Sequence, residues 1–123
     1  MGEAANASGI LVVDDDLDTA QMFAMLLQEL GHAVEYVTRP QPVLEIAKRM
    51  KPWLIFLDIG LPDFDGRELA GRLRKLPGLE QTKIIAITGG PASARDGALA
   101  AGCDDFLRKP VPIDVLESLI KTR

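Results

Sequence analysis

The chain has 123 residues, 47% of them apolar and 26% charged, the composition of one globular domain with a core of its own. With 14 basic and 18 acidic side chains the net charge is −4, which speaks against a sequence-independent grip on DNA or RNA. A lone cysteine, Cys103, excludes an internal disulfide or a cysteine-based zinc site and fits a reducing, cytoplasmic setting, and no apolar run approaches the roughly 20 residues of a membrane span.

Residues 1–8 have no basic start and no apolar middle, so they read as a flexible arm rather than a secretory signal, with one domain over residues 9–123. Ile10-Leu11-Val12-Val13 is a continuous apolar run, as in a strand covered on both faces, and Asp14-Asp15-Asp16 ends it. From Leu17 to Leu30 the apolar residues Ala20, Phe23, Ala24, Leu27 and Leu30 fall on one helical face, closed by Gly31. A second strand spans Ala33 to Val37. Pro40 and Pro42 open a helix that runs to about Met50, and Pro52 stops it. Trp53 to Leu57 is a third strand, apolar throughout, ending at Asp58. Pro62 and Gly66 bracket a loop, and Asp65 caps a helix from Arg67 to Leu76. A fourth strand, Lys83 to Ile87, ends at Thr88-Gly89-Gly90. An Ala-rich helix from Ala92 to Ala101 follows, closed by Gly102. A short fifth strand, Asp105 to Leu107, ends at Arg108-Lys109-Pro110, and Pro112 opens a last helix through Leu119. Met22, Met25 and Met50 read as packing residues, and Arg67, Arg72, Arg74 and Lys75 as a solvated helix face.

Strands alternating with helices imply parallel strands joined by right-handed crossovers, hence a three-layer, doubly wound α/β fold. In such a sheet all strand C-termini meet at one edge, where sites form. At that edge stand Asp14 and Asp15, Asp58, Thr88 and Lys109. Two carboxylates about 4 Å apart repel by ~4 kcal/mol at an effective dielectric of 20, so three acids beside one ammonium call for a divalent cation. Carboxylates, a backbone carbonyl and water suit Mg²⁺, which commonly acts with phosphate. The Thr88 hydroxyl and Lys109 ammonium suit phosphoryl oxygens. Asp58, ionised at neutral pH, can serve as a nucleophile and form an aspartyl phosphate. Taken singly, each residue has a blander role: one of Asp14, Asp15 and Asp16 caps the first helix, Asp58 is a turn residue, and Thr88 and Lys109 are solvated surface.

Ile10 to Asp16, Phe56 to Gly66, Ile87-Thr88-Gly89 and Phe106 to Pro110 together resemble the receiver domain of bacterial two-component response regulators, over about Gly9 to Leu119. The resemblance implies a flavodoxin-like parallel sheet of order 2-1-3-4-5. It implies that Asp58 accepts a phosphoryl group from a phosphohistidine on a histidine kinase or histidine phosphotransfer protein. It further implies that Mg²⁺ is held by Asp15 directly, by Asp14 mainly through water, by Asp58, and by the backbone carbonyl of Gly60. Thr88 would then move toward the phosphoryl oxygens, Lys109 would pair with the phosphoryl group and Asp58, and Phe106 would turn inward as an aromatic switch. The Lys109–Pro110 bond would be cis. A downstream protein would read the face made by the fourth helix, fifth strand and fifth helix, and a homodimer on activation fits the same pattern. The module could stand alone or form part of a hybrid histidine kinase. The sequence departs from better-known members at Gly60 and Gly90, where larger polar side chains line the access of water, and in Phe106, which lacks a tyrosine hydroxyl.

Other classes fit less well. Gly89-Gly90 lacks the Lys-Ser/Thr of a nucleotide loop, and three aspartates would repel a flavin phosphate. A Mg²⁺-dependent phosphohydrolase would want an acid two residues after its nucleophile, where Gly60 stands. An interaction module that is never phosphorylated would lack one of the acids, the Thr or the Lys. Cys103 reads as a small buried hydrophobe and His32 as a surface or turn residue.

Overall fold

The computed structural model describes residues 9–60 and 65–121. Five strands, β1 Ile10–Val13, β2 Val34–Val37, β3 Leu54–Asp58, β4 Lys83–Thr88 and β5 Asp105–Arg108, alternate with five helices, α1 Leu17–Glu29, α2 Val43–Met50, α3 Gly66–Arg74, α4 Arg95–Ala101 and α5 Ile113–Lys121. Every pairing is parallel and the order is β2-β1-β3-β4-β5, as the family resemblance implied. The reversal of strand order falls between β1 and β3, whose register runs from Ile10 opposite Leu54 to Val13 opposite Leu57.

Alternation along the strands divides the core in two. Ile10, Val12, Leu54, Phe56, Ile85 and Ile87 face α1 and α5, where Phe23, Leu27, Leu116 and Ile120 meet them. Phe23 and Phe56 pack edge to face with ring centroids 5.4 Å apart. Leu11, Val13, Ile55, Leu57, Ile84 and Ala86 face α2, α3 and α4 through Val43, Ala47, Leu69, Leu73 and Ala98. Cys103 is 6% exposed and lies in this second layer, as its small apolar character predicts.

The local signals work as chemistry requires. Gly31 takes φ +97 after α1, and the N–H groups of Gly31 and His32 return to the carbonyls of Gln28 and Leu27, a Schellman closure. The Asp65 side chain accepts the N–H of Arg67 at 2.9 Å and so caps α3. Gly66 is required by contact: a Cβ there would lie 2.4 Å from the Cα of Ile59.

Three details differ from the sequence reading. The fourth helix opens as a 3₁₀ turn over Ala92–Ala94, and only Arg95–Ala101 is α-helical. Met22 and Met25 are 53% and 61% exposed, because the buried stripe of α1 runs through Ala20, Phe23, Ala24 and Leu27 instead. Arg74 is not solvated surface: its guanidinium donates to the carbonyls of Thr82 (2.7 Å) and Gly102 (3.1 Å) and to Asp104 (2.7 Å). Asp104 also accepts the N–H of Ile84, so this one arginine ties the start of β4 to the turn before β5. His32, by contrast, sits in the turn that closes α1, as expected, half-buried with its ring 5.7 Å from that of Trp53. The bracketing Pro62 and the arm over residues 1–8 lie outside the described residues.

Candidate functional site

The site assembles at the C-terminal edge of the sheet because β1, β3, β4 and β5 deliver polar residues as their runs end. Asp14, Asp58 and Thr88 are 4%, 5% and 7% exposed, while Asp15, one residue beyond β1, is open to solvent. Three of these exits share one device. The Asp14 carboxylate accepts the N–H of Asp16 (3.0 Å), the Asp58 carboxylate that of Gly60 (2.8 Å), and the Thr88 hydroxyl that of Gly90 (3.0 Å). Each is a turn in which a side-chain oxygen holds the amide two residues on, which fixes the side chain while the backbone leaves the strand.

Lys109 closes the group from β5. Its ammonium lies 2.8 Å from Asp14 and 3.0 Å from Asp58, and its backbone N–H donates to the carbonyl of Thr88 at 2.8 Å. The Lys109–Pro110 peptide is cis. Burial pushes the Asp14 carboxyl above its ordinary value, against the opposing pull of Lys109 and the amide of Asp16. Burial pulls the Lys109 ammonium down, but the hydrogen bonds and charges of Asp14 and Asp58 outweigh it and leave the group raised, firmly protonated at neutral pH.

One oxygen from each of Asp14, Asp15 and Asp58 can lie within 4.8 Å of the other two. The set is all oxygen, without nitrogen or sulfur, and its negative charge exceeds what one ammonium balances. Those are the donors and the charge that a hard divalent cation takes, so the residues present fit a magnesium ion. The space beside the acids is open on the side of Gly60, where a Cβ would lie 3.4 Å from Asp58 Oδ1 and 3.7 Å from the Thr88 hydroxyl. A Cβ at Gly90 would lie 3.3 Å from the same hydroxyl. Phe106, two residues before the end of β5, is half-buried against the α2–α3–α4 layer rather than sealed within it.

The structure thus gathers Asp14, Asp15, Asp58, Gly60, Thr88 and Lys109 at one rim, with Phe106 beside it. What the strand-end reading missed is the backbone: the amides of Asp16, Gly60 and Gly90 that orient the three side chains. The signal was present, since an Asp or Thr at a strand exit two residues before a turn invites that bond.

Residues 10–121 match the model of the response regulator receiver domain. The chain belongs to that family. This receiver domain is a phosphoryl-accepting signalling switch. It is 38% identical over 109 residues to an uncharacterized 14.6 kDa protein encoded in the sodA1 3′ region of Leptolyngbya boryana, covering 87% of this chain and 83% of that one. It is 32% identical over 119 residues to the signal transduction histidine-protein kinase BarA of Escherichia coli K12, covering 96% of this chain but 13% of BarA. The crystal structure of a CheY-like receiver domain protein from Methanospirillum hungatei superposes with a TM-score of 0.85 at 31% identity, covering 94% of this chain and 91% of that one.

Proposed function

We propose that this receiver domain catalyses transfer of a phosphoryl group from a phosphohistidine to its own Asp58, with Mg²⁺, and is a regulatory module rather than a metabolic enzyme. The observation that carries the reading is the Lys109 ammonium bridging two buried acids, Asp14 at 2.8 Å and Asp58 at 3.0 Å, with Asp15 able to bring an oxygen within 4.8 Å of both. Asp14, Asp15, Asp58 and the carbonyl of Gly60 are the residues that would hold the ion. When bound, Mg²⁺ supplies charge neutralisation for the incoming phosphoryl oxygens.

The step itself is a displacement at phosphorus. A carboxylate oxygen of Asp58 forms the new O–P bond, the N–P bond breaks, and its electron pair leaves with the imidazole nitrogen. The attacking atom is a carboxylate oxygen, so the step asks for no general base. Lys109 already holds Asp58 Oδ2, and its third ammonium hydrogen is available for a phosphoryl oxygen. The Gly60 amide fixes Asp58 Oδ1, so the nucleophile is oriented before the donor arrives. The Thr88 hydroxyl oxygen accepts from Gly90, which leaves its hydrogen for the phosphoryl group. Movement of Thr88 toward that group would make room for Phe106 to turn inward, changing the α4–β5–α5 face that a downstream protein reads.

The partners follow from this chemistry: a histidine kinase or histidine phosphotransfer protein as donor, and a protein reader. Similarity to both the Leptolyngbya protein and BarA is compatible with a small regulator or with a module of a hybrid kinase. The test is intact mass after incubation with acetyl phosphate and Mg²⁺. One phosphate should be added, and Asp58→Asn should lower incorporation by at least about 100-fold, the scale on which an essential nucleophile is felt. Equal labelling of Asp58→Asn would overturn the assignment.

A further inference from the structure

The Thr88 hydroxyl is not governed from inside the site alone. It is bonded to the amide of Gly90 at 3.0 Å, so the two move together. The carbonyl of that same Gly90 is held at 3.1 Å by Nε of Arg108. Arg108 lies on β5 directly opposite Thr88 in the β4–β5 register, and its side chain runs over the exposed surface. The loop from Thr88 to Gly90 is therefore gripped twice by neighbouring β5 residues: at the Thr88 carbonyl by the Lys109 amide (2.8 Å), and at the Gly90 carbonyl by the Arg108 side chain. The first grip is ladder pairing, present whatever the side chains are. The second depends on residue type, since it needs a long cationic donor at position 108.

We propose that Arg108 is a positioning residue, a latch that holds the β4–α4 loop in the resting state and opposes travel of the Thr88 hydroxyl toward a phosphoryl group on Asp58. The proposal rests on the reading of Asp58 and Thr88 given above. Its logic is mechanical. The glycines Gly89 and Gly90 put no side chain into the loop, and a Cβ at Gly89 would meet nothing within 4 Å. Little packing therefore restrains the loop, and hydrogen bonds set its position. If Thr88 moves inward, Gly90 follows, and the Arg108 contact lengthens or breaks. Arg108 thus weights the equilibrium between resting and phosphorylated forms without touching the reacting atoms.

Phosphorylation by acetyl phosphate with Mg²⁺ is followed for the wild type, Arg108→Ala and Arg108→Lys, together with amide hydrogen exchange over residues 89–92. Arg108→Ala should be phosphorylated about threefold to fivefold faster. Its unphosphorylated loop should exchange faster by a similar factor, with the Tm within about 2 °C of wild type, because one exposed hydrogen bond is lost. Arg108→Lys, which keeps a cationic donor, should fall between the two. Once phosphorylated, wild type and Arg108→Ala should exchange alike, because the latch is already open; a merely structural arginine would leave a difference in both states. A wild-type rate and wild-type exchange in Arg108→Ala would overturn the latch while leaving Asp58 in place. Failure of the wild type to take phosphate at Asp58 would overturn the underlying reading, and the exchange of the unphosphorylated variants would still report on the contact.

Discussion

The two halves of the sheet are built to different standards. On the β1–β3 side β1 and β3 are buried at every residue, although the edge strand β2 beyond them is not, and Asp14 and Asp58 stand at the ends of strands with core on both faces. On the β4–β5 side the quality falls away toward the edge. β5 has no fully buried residue, α4 is seven residues long with a glycine at its third position, and Ala98 is the residue it buries. The proposed nucleophile, Asp58, thus sits on the rigid half, and the groups proposed to report its state, Thr88 and Phe106, sit at or beside the soft half. Chemistry needs atoms held in place, whereas a response needs a part that can move at small cost.

Side-chain truncation tests that contrast most strongly. Phe56→Ala removes a fully buried ring between α1 and the sheet and should cost about 3–5 kcal/mol, whereas Phe106→Ala should cost about 1–2 kcal/mol, both read from denaturant midpoints at unchanged slope. Equal costs would erase the distinction between the halves.

A smaller effect sharpens the electrostatic side. Lys109→Ala leaves Asp14 and Asp58 facing each other without their shared cation, and with Lys109 itself partly solvated the loss should be about 2 kcal/mol in metal-free buffer. Added Mg²⁺ should recover much of that loss, so the stability of this variant should depend more steeply on Mg²⁺ than that of wild type. A Tm that ignores both the mutation and the ion would remove the argument that charge balance organises the rim.

The smallest effect concerns the α4–β5 turn. Burial raises the Cys103 thiol to about 11 from 9.0, with the nearby Asp104 adding to the shift. The folded form therefore holds its proton more tightly than the unfolded chain does. The resulting stability is complete below the unfolded value and is lost as pH climbs through the folded one. Allowing for partial solvent access, wild type should lose about 1 kcal/mol relative to Cys103→Ala between pH 8 and pH 10. A stability difference that stays flat across that range would mean the thiol is not held as this packing indicates.

Much of this was legible in the residues. Continuous apolar runs marked β1 and β3, because a strand covered on both faces has no polar positions to alternate. Asp58 stood out, because a charge directly after such a run has to be either a turn or a site. Gly31, Asp65 and Gly102 announced helix ends, because caps are local chemistry. Less legible were Met22 and Met25, where helical spacing could not say which stripe of α1 turned inward, and Arg74, whose carbonyl partners are supplied by segments up to 28 residues away.

The sequence by itself determined the elements, their alternation, and the set of polar residues at the strand exits, because hydrophobic period and turn chemistry act over a few neighbours. Only the tertiary structure decided that Lys109 would clasp Asp14 and Asp58, that one arginine would fasten β4 to the turn before β5, and that another would hold the loop after Thr88. Those bonds join residues 8 to 95 positions apart, and nothing but the closing of the sheet gives them a distance.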